Sequence, residues 1–177
     1  MNELSVPTVD ISKALAIDGW MNDYALYWLA EQASKHYLIA EVGSYLGRST
    51  RVLGDYTPGM VAAIDTWNGP VGIGAPVIPN FREKFEENLA DLIAAEKVIP
   101  YDAKQVLLFR GLDMVFIDAN HEYEYVKNDI LNWKQWIAPG GLLCGHDASH
   151  PDVKKAVNET LPGAGSIVEA DIWCINV

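Results

Sequence analysis

At 177 residues, half of them hydrophobic, the chain is long enough to bury one sizeable core and too apolar to stay disordered. Its formal net charge of −11, with Lys and Arg scattered rather than clustered, argues against nucleic acid or an anionic membrane as partner, since phosphates demand a basic surface. Met1–Lys13 lacks the basic and apolar regions of a signal peptide, and no run approaches the roughly 20 apolar residues of a membrane helix, so a soluble cytoplasmic protein is expected.

Apolar β-rich runs alternate with helical patterns, as in a parallel sheet covered by helices, within a single domain over residues 1–177. Trp20–His36 reads as the first helix, with Met21, Ala25, Trp28 and Leu29 on a face that packs on the sheet or in a homo-oligomer interface, the sheet being favoured. Leu38–Gly43 is a buried strand, Ser49–Tyr56 a short helix and Met60–Asp65 the second strand. Asn68–Asn80, rich in Gly and Pro, is a long loop of the kind that tends to be functional. Phe81, Phe85, Leu89 and Leu92 mark the next helix, Lys97–Pro100 a short strand ending near Asp102, and Met114–Asp118 a buried strand. The stripe Tyr123, Val126, Ile130, Trp133 and Ile137 predicts a helix over Glu122–Ile137, stopped by Pro139-Gly140-Gly141. Leu142–Gly145 is a strand, Pro151–Leu161 a helix with proline in its first turn, and Ser166–Glu169 with Ile172–Val177 a closing hairpin. Cys144 and Cys174 lie in apolar surroundings without a Cys-x-x-Cys pair and read as buried thiols of a reducing compartment.

In an open parallel sheet, ligands bind beyond the carboxyl ends of the strands. Those ends here carry Glu41-Val42-Gly43, Asp65, Asp102, Asp118 and His146-Asp147. The first loop, Glu41 to Thr50, is a glycine turn entering a helix, which lets a ligand approach the backbone and aims N–H groups at it; a purely structural turn is the alternative. A dinucleotide fingerprint started at Gly43 would need glycine at Tyr45 and Arg48. A triphosphate loop would need one more residue between the glycines and a lysine where Arg48 stands. Asp65, ending the second strand, suits the two hydroxyls of a ribose.

Four blocks, E-V-G-S-Y-L-G-R-S-T, A-I-D-T-W, V-F-I-D-A-N-H-E-Y and P-G-G-L-L-C-G-H-D, resemble the class I S-adenosylmethionine-dependent methyltransferases. Their order and spacing are most similar to the compact branch that includes bacterial sugar and antibiotic O-methyltransferases. The resemblance implies an α/β fold, a Rossmann-like three-layer sandwich whose mostly parallel sheet runs in the order 3-2-1-4-5-7-6, with an antiparallel last strand. It implies S-adenosylmethionine as cofactor. Glu41 and Gly43 would line its methionine and ribose, with Ser44, Gly47 and Ser49 of the same loop. Asp65 would take the ribose hydroxyls, with Thr66 beside it. Trp67 would lie near the adenosine, or simply pack. Asp102 would bind the adenine amino group, with Ala103 beside it, or merely cap a helix; Asp118 would face the sulfonium.

A sulfonium methyl donor needs an aligned acceptor and a base. Asp118 and His121 are the catalytic candidates, three apart just past a buried strand, and an imidazole with a pKa of about 6.5 can take a hydroxyl proton. By the same resemblance His121 would be the general base; capping the next helix is its structural alternative. The relatives' divalent metal would correspond here to Asp118, His146 and Asp147, although His146 departs from their acidic pair and Mg²⁺ prefers oxygen. His36 and His150 read as surface residues. The expected activity is O-methylation of a small hydroxylated acceptor, a saccharide or secondary metabolite. A binding protein without catalysis is the alternative, and a nucleotide-dependent oxidoreductase is disfavoured by the glycine spacing.

Overall fold

The structure, a computed structural model, describes residues 9–69, 79–104 and 110–177. Residues 70–78 of the expected loop lie outside that set. The elements in chain order are α1 (Ser12–Leu15), α2 (Asp23–Ala33), β1 (Leu38–Val42), α3 (Arg48–Tyr56), β2 (Met60–Asp65), α4 (Phe81–Asn88), α5 (Ala90–Ala94) and β3 (Val98–Asp102). They continue with β4 (Leu112–Ile117), α6 (Tyr123–Lys134), β5 (Ile137–Gly145), α7 (Pro151–Thr160), β6 (Gly165–Ile167), a 3₁₀ turn (Val168–Ala170) and β7 (Ile172–Asn176). The seven strands form one sheet in the order β3-β2-β1-β4-β5-β7-β6. Neighbours from β3 to β5 are parallel, and β7 runs antiparallel to both β5 and β6, as the resemblance implied.

Strand side chains alternate between two cores, because successive residues point to opposite faces. Ile39, Val61, Met114, Phe116 and Cys144 meet the layer of α1 to α5, while Ala40, Ala62, Val115, Ile117 and Leu143 meet α6 and α7. Both faces of the inner strands are therefore apolar, which is why they read as continuous hydrophobic runs. Burying each Val, Leu, Ile or Phe side chain contributes about 1.5–3 kcal/mol. No helix among the described residues is long and apolar enough to cross a membrane.

Several boundaries differ from the sequence expectation, each for a local reason. The first long helix begins at Asp23, not Trp20, because the Asn22 side chain caps it by accepting from the Ala25 N–H at 2.9 Å. Ile137 belongs to β5 rather than to the preceding helix: Leu112 N donates to Trp136 O at 3.0 Å, Ile137 pairs with Leu112, and the register shifts before Met114. Pro139-Gly140-Gly141 is consequently an irregular stretch inside β5 instead of a connector. The Phe81–Leu92 helix is broken at Leu89 into α4 and α5, yet Phe81, Phe85, Leu89 and Leu92 all remain buried on one side. Cys144 and Cys174, distant in sequence, are free and face each other across β5 and β7.

The helical layer of α1 to α5 is tied by Arg51 of α3, only 4 % exposed, whose guanidinium forks onto Asp55 (2.8 and 2.9 Å) and onto Asp91 (2.8 Å to Oδ2). That contact holds the Asp91 carboxyl down to about 2. Removing the fork leaves the partly buried Asp55 without its cation beside the apolar layer, whereas Asp91, more than half exposed, returns to water. Arg51→Ala is expected to cost about 1–2 kcal/mol, chiefly through the lost packing of the buried arginine, read as a lower urea midpoint at unchanged slope, with Lys restoring only part because it lacks the fork.

Candidate functional site

The turn after β1 is shaped by how closely it passes the end of β4. Gly43 has φ +92°, its N–H donates to Ile64 O (2.8 Å), and Asp118 N donates to Val42 O (2.8 Å). A Cβ at Gly43 would lie 2.1 Å from the carbonyl oxygen of Asp118, and at Gly47 (φ +94°) 2.9 Å from the Leu89 side chain. Both loop glycines are thus required where the protein's own chain passes close to them. Arg48 is engaged within the chain. Its Nε donates to Ile17 O (2.8 Å) and its terminal nitrogen to Met21 O (3.2 Å), fastening the segment before α2 to the start of α3.

Under the turn lies Glu41, fully buried. Its Oε2 accepts from Thr50, whereas Oε1 and the neighbouring Ser44 Oγ are buried with no partner among the described residues. Ser49 is buried beside them. Unpartnered buried polar atoms are costly, and the hydroxyls of Ser44 and Ser49 beside the carboxyl are the nearest groups of the chain able to relieve it. Burial pushes the Glu41 carboxyl up to about 7; the Ser49, Thr50 and Ser44 hydroxyls oppose the shift, and the charge of Asp118 adds to it. A carboxyl raised in the folded state leaves stability undiminished below its unfolded pKa of 4.5 and lowers it as pH rises through about 7. Glu41→Gln is therefore expected to melt close to wild type at acid pH and above it at alkaline pH. The gain at pH 8 should be on the order of 3 kcal/mol, measured by thermal denaturation across pH.

Asp65 sits at the end of β2 and organises both neighbouring loops. Its Oδ2 accepts from Tyr45 N (3.0 Å) and its Oδ1 from Trp67 N (2.9 Å), which leaves lone pairs on both oxygens. Burial pushes its carboxyl up, and the N–H groups of Trp67 and Tyr45 pull it back in part. Thr66 is exposed beside it. Trp67 donates from its ring to Tyr101 O (3.0 Å) and packs 4.9 Å from Phe85, so its indole is engaged in the α4 layer. Asp102 lies beside Asp65 in the β2–β3 register and accepts from Lys104 N (2.8 Å), while Ala103 N donates to Asp65 O (2.8 Å).

The other half of the site gathers at the ends of β4 and β5. His121 Nε2 stands 2.7 Å from Asp147 Oδ2 and 3.7 Å from Asp118 Oδ1. His146 Nδ1 stands 3.3 Å from the same Asp147 oxygen and 4.0 Å from Asp118 Oδ1, and its Nε2 is buried without a partner among the described residues. Among the described residues, Asp118, His121 and Asp147 each bring one ligand atom within 4.8 Å of the others. Asp118 and Asp147 together push His121 up to about 10 against its partial burial, so the ring is charged at neutral pH in this arrangement. Burial works against charge on His146, but Asp147 and Asp118 still raise it. For Asp147 burial acts upward, yet the two imidazoles hold its carboxyl well below the usual range. Asp147 adopts φ +55°, a left-handed conformation that Asp tolerates better than most residues.

Two participants were missed from sequence. His150, taken as a surface residue, is exposed but has its ring 5.9 Å from that of His121; its N–H donates to Asp147 O across a turn that the three-residue spacing after Asp147 could have signalled. Asp171 accepts from Ser149 N and Oγ and secures the same loop, which no local pattern indicates. A cavity of about 10 Å³, room for about one water, lies against Asp118, His146 and Trp173. An open pocket of about 330 Å³ lies on the other side of the turn, lined by Asp18, Leu46, Lys84 and Glu87 among others, and by none of the cluster residues.

Known proteins share this fold. The fold is similar to an O-methyltransferase from Bacillus cereus in complex with SAH, at TM-score 0.67 and 12% identity, covering 98% of this chain and 94% of that one. It is similar to the O-methyltransferase TomG from Streptomyces achromogenes, involved in tomaymycin synthesis and in complex with SAM, at TM-score 0.60 and 19% identity (89% and 82% covered). An RNA methyltransferase from Salinibacter ruber in complex with S-adenosyl-L-homocysteine gives TM-score 0.61 at 11% identity (90% and 94% covered). No curated protein matches the chain in sequence. Residues 40–148, which hold the glycine turn, Asp65, Asp118, His121 and the His146–Asp147 pair, match the family described as "Methyltransferase domain", and the chain belongs to that family.

Proposed function

We propose that this methyltransferase transfers the methyl group of S-adenosylmethionine to a hydroxyl of a small acceptor, a saccharide or secondary metabolite. The observation that carries the reading is the contact of Gly43 with the Asp118 backbone, which sets the cofactor turn directly beside the Asp118–His121 cluster. The site residues fit the cofactor. Glu41 Oε1 and Ser44 Oγ suit its ammonium and carboxylate end, and the remaining lone pairs of Asp65 suit ribose hydroxyls. Gly47 and Ser49 shape the same turn, with Thr66, Trp67, Asp102 and Ala103 along the adenosine side. The net charge of −11 favours a small acceptor over the RNA that one structural neighbour's description names.

When bound, the cofactor supplies a methyl group already activated as a sulfonium. What the chain must add is alignment and a proton acceptor. Asp118 orients the acceptor and His121 takes the hydroxyl proton. Because His121 is charged while it rests on both carboxylates, acting as base requires its ring to part from at least one of them as the ligands bind.

Calorimetry with S-adenosylhomocysteine is expected to show one site, lost in Asp65→Ala; a wild-type chain that binds none would sink the proposal. His121→Ala should keep cofactor binding and lose turnover by about 100-fold or more, measured by homocysteine release over an acceptor panel, whereas undiminished turnover would reject the base role.

A further inference from the structure

The chain's two cysteines have no part in the methyl-transfer site, yet the sheet sets Cys144 of β5 directly opposite Cys174 of β7. Val177 N donates to Gly141 O (3.0 Å), which marks those two opposed residues as a hydrogen-bonded pair. Bonded and non-bonded pairs alternate along an antiparallel ladder, so Cys144 and Cys174, three steps further, are a non-bonded pair. The Cα atoms of such a pair stand about 4.5 Å apart with side chains close, and a disulfide takes Cα separations of about 4.4–6.8 Å. Both side chains face the same core, that of α1 to α5. Cys144 Sγ donates to Val115 O (3.3 Å), and a turn about its χ1 exchanges this weak bond for contact with Cys174.

Reaction also needs access, and there the two thiols differ. Cys144 is fully buried, whereas Cys174 is partly exposed. Opposite Cys174 in the edge strand β6 stands Gly165, where an added Cβ would meet nothing nearer than Cys174 O at 4.0 Å. Paired residues share a face of the sheet, so the missing side chain leaves the Cys174 thiol open from the edge. Burial pushes both thiols up, and at Cys144 the nearby Cys174 adds to it, so thiolate is scarce and exchange is slow. Among the described residues, β6 and β7 join the rest of the sheet only through the pairing of β7 with β5. A covalent bond at this ladder would hold both edge strands in place.

We propose that Cys144 and Cys174 are a modification site, closed to a cross-strand disulfide by a small-molecule disulfide such as oxidised glutathione that enters at Cys174. The Cys174 thiolate attacks one sulfur of the reagent and releases its other half as a thiol. The Cys144 thiolate then attacks Cys174 Sγ in the mixed disulfide and releases the second half. Two electrons pass from the protein sulfurs to the reagent, and the two cysteine protons leave on the two released thiols.

The test uses the full chain, reduced, desalted, incubated with oxidised glutathione and then measured by mass spectrometry without reductant. A monomer short of two hydrogens is expected, with one linked peptide pair carrying Cys144 and Cys174. It should melt about 5 °C above the reduced chain, and amide hydrogen exchange along β6 and β7 should slow. Cys144→Ser should stop at a glutathione adduct on Cys174, and Cys174→Ser should not react. Gly165→Leu, which covers the thiol without touching the core, should slow closure at least about fivefold, and it is the decisive variant if Cys144→Ser proves unfolded by circular dichroism. The proposal is overturned if the wild type stays reduced, stops at a stable glutathione adduct or links two chains instead. It is overturned equally if closure leaves the melting unchanged, if Cys174→Ser takes glutathione on Cys144, or if Gly165→Leu closes as fast as wild type.

Discussion

Where β1 gives way to its turn, the absent side chain of Gly43 is replaced by the carbonyl of Asp118, and most of the site's geometry depends on that crossing. The hydrogen bond from Asp118 N to Val42 O and the one from Gly43 N to Ile64 O place the ends of β4, β1 and β2 side by side. Any residue with a Cβ would push β4 away from the turn and adopt an unfavourable backbone conformation as well. The separation of cofactor turn and reacting cluster is thus set by backbone sterics, which are stiffer than any side-chain contact. Asp65 extends the same logic outward, since one carboxylate accepts from the loops after both β1 and β2.

Electrostatically the site is built from acids of opposite behaviour. Glu41, buried among hydroxyls, is driven toward its neutral form, while Asp147, flanked by two imidazoles, is driven toward its charged form. The distinction is one of partners. Burial pushes both upward, and only Asp147 has cations close enough to overcome it. In a chain carrying a net −11, Asp147 is kept charged by the imidazoles of His121 and His146 that lie against it.

Most elements were legible in the sequence because inner strands buried on both faces are apolar throughout, and helices with one buried face keep their spacing; the sheet order came from the resemblance of the four motif blocks, not from the pattern. Asp65 was legible as well, because its position at a strand end restricts what it can meet. Other features were hidden for physical reasons. Ile137 satisfies the apolar stripe of α6, yet it is drawn into β5 by a ladder bond that Leu112 makes to Trp136, a contact over a long sequence separation. The glycine turn announced itself, but the pattern cannot say that Gly43 is also required by the close passage of the Asp118 backbone. Asp118, His121, His146 and Asp147 were each singled out. Their sharing of one Asp147 oxygen depends on how β5 lies against β4, and spacing along the chain does not encode that.

Arg48 has a consequence of a different kind. By bonding Ile17 and Met21 it makes the segment ahead of α2 and the first turn of α3 one mechanical unit. A substitution that reshapes that segment moves the arginine, and the arginine moves the turn it grows from. A change near Ile17 is therefore transmitted to the turn after β1 through one side chain, whereas a change around His150, whose loop is secured by Asp171, has no such arm.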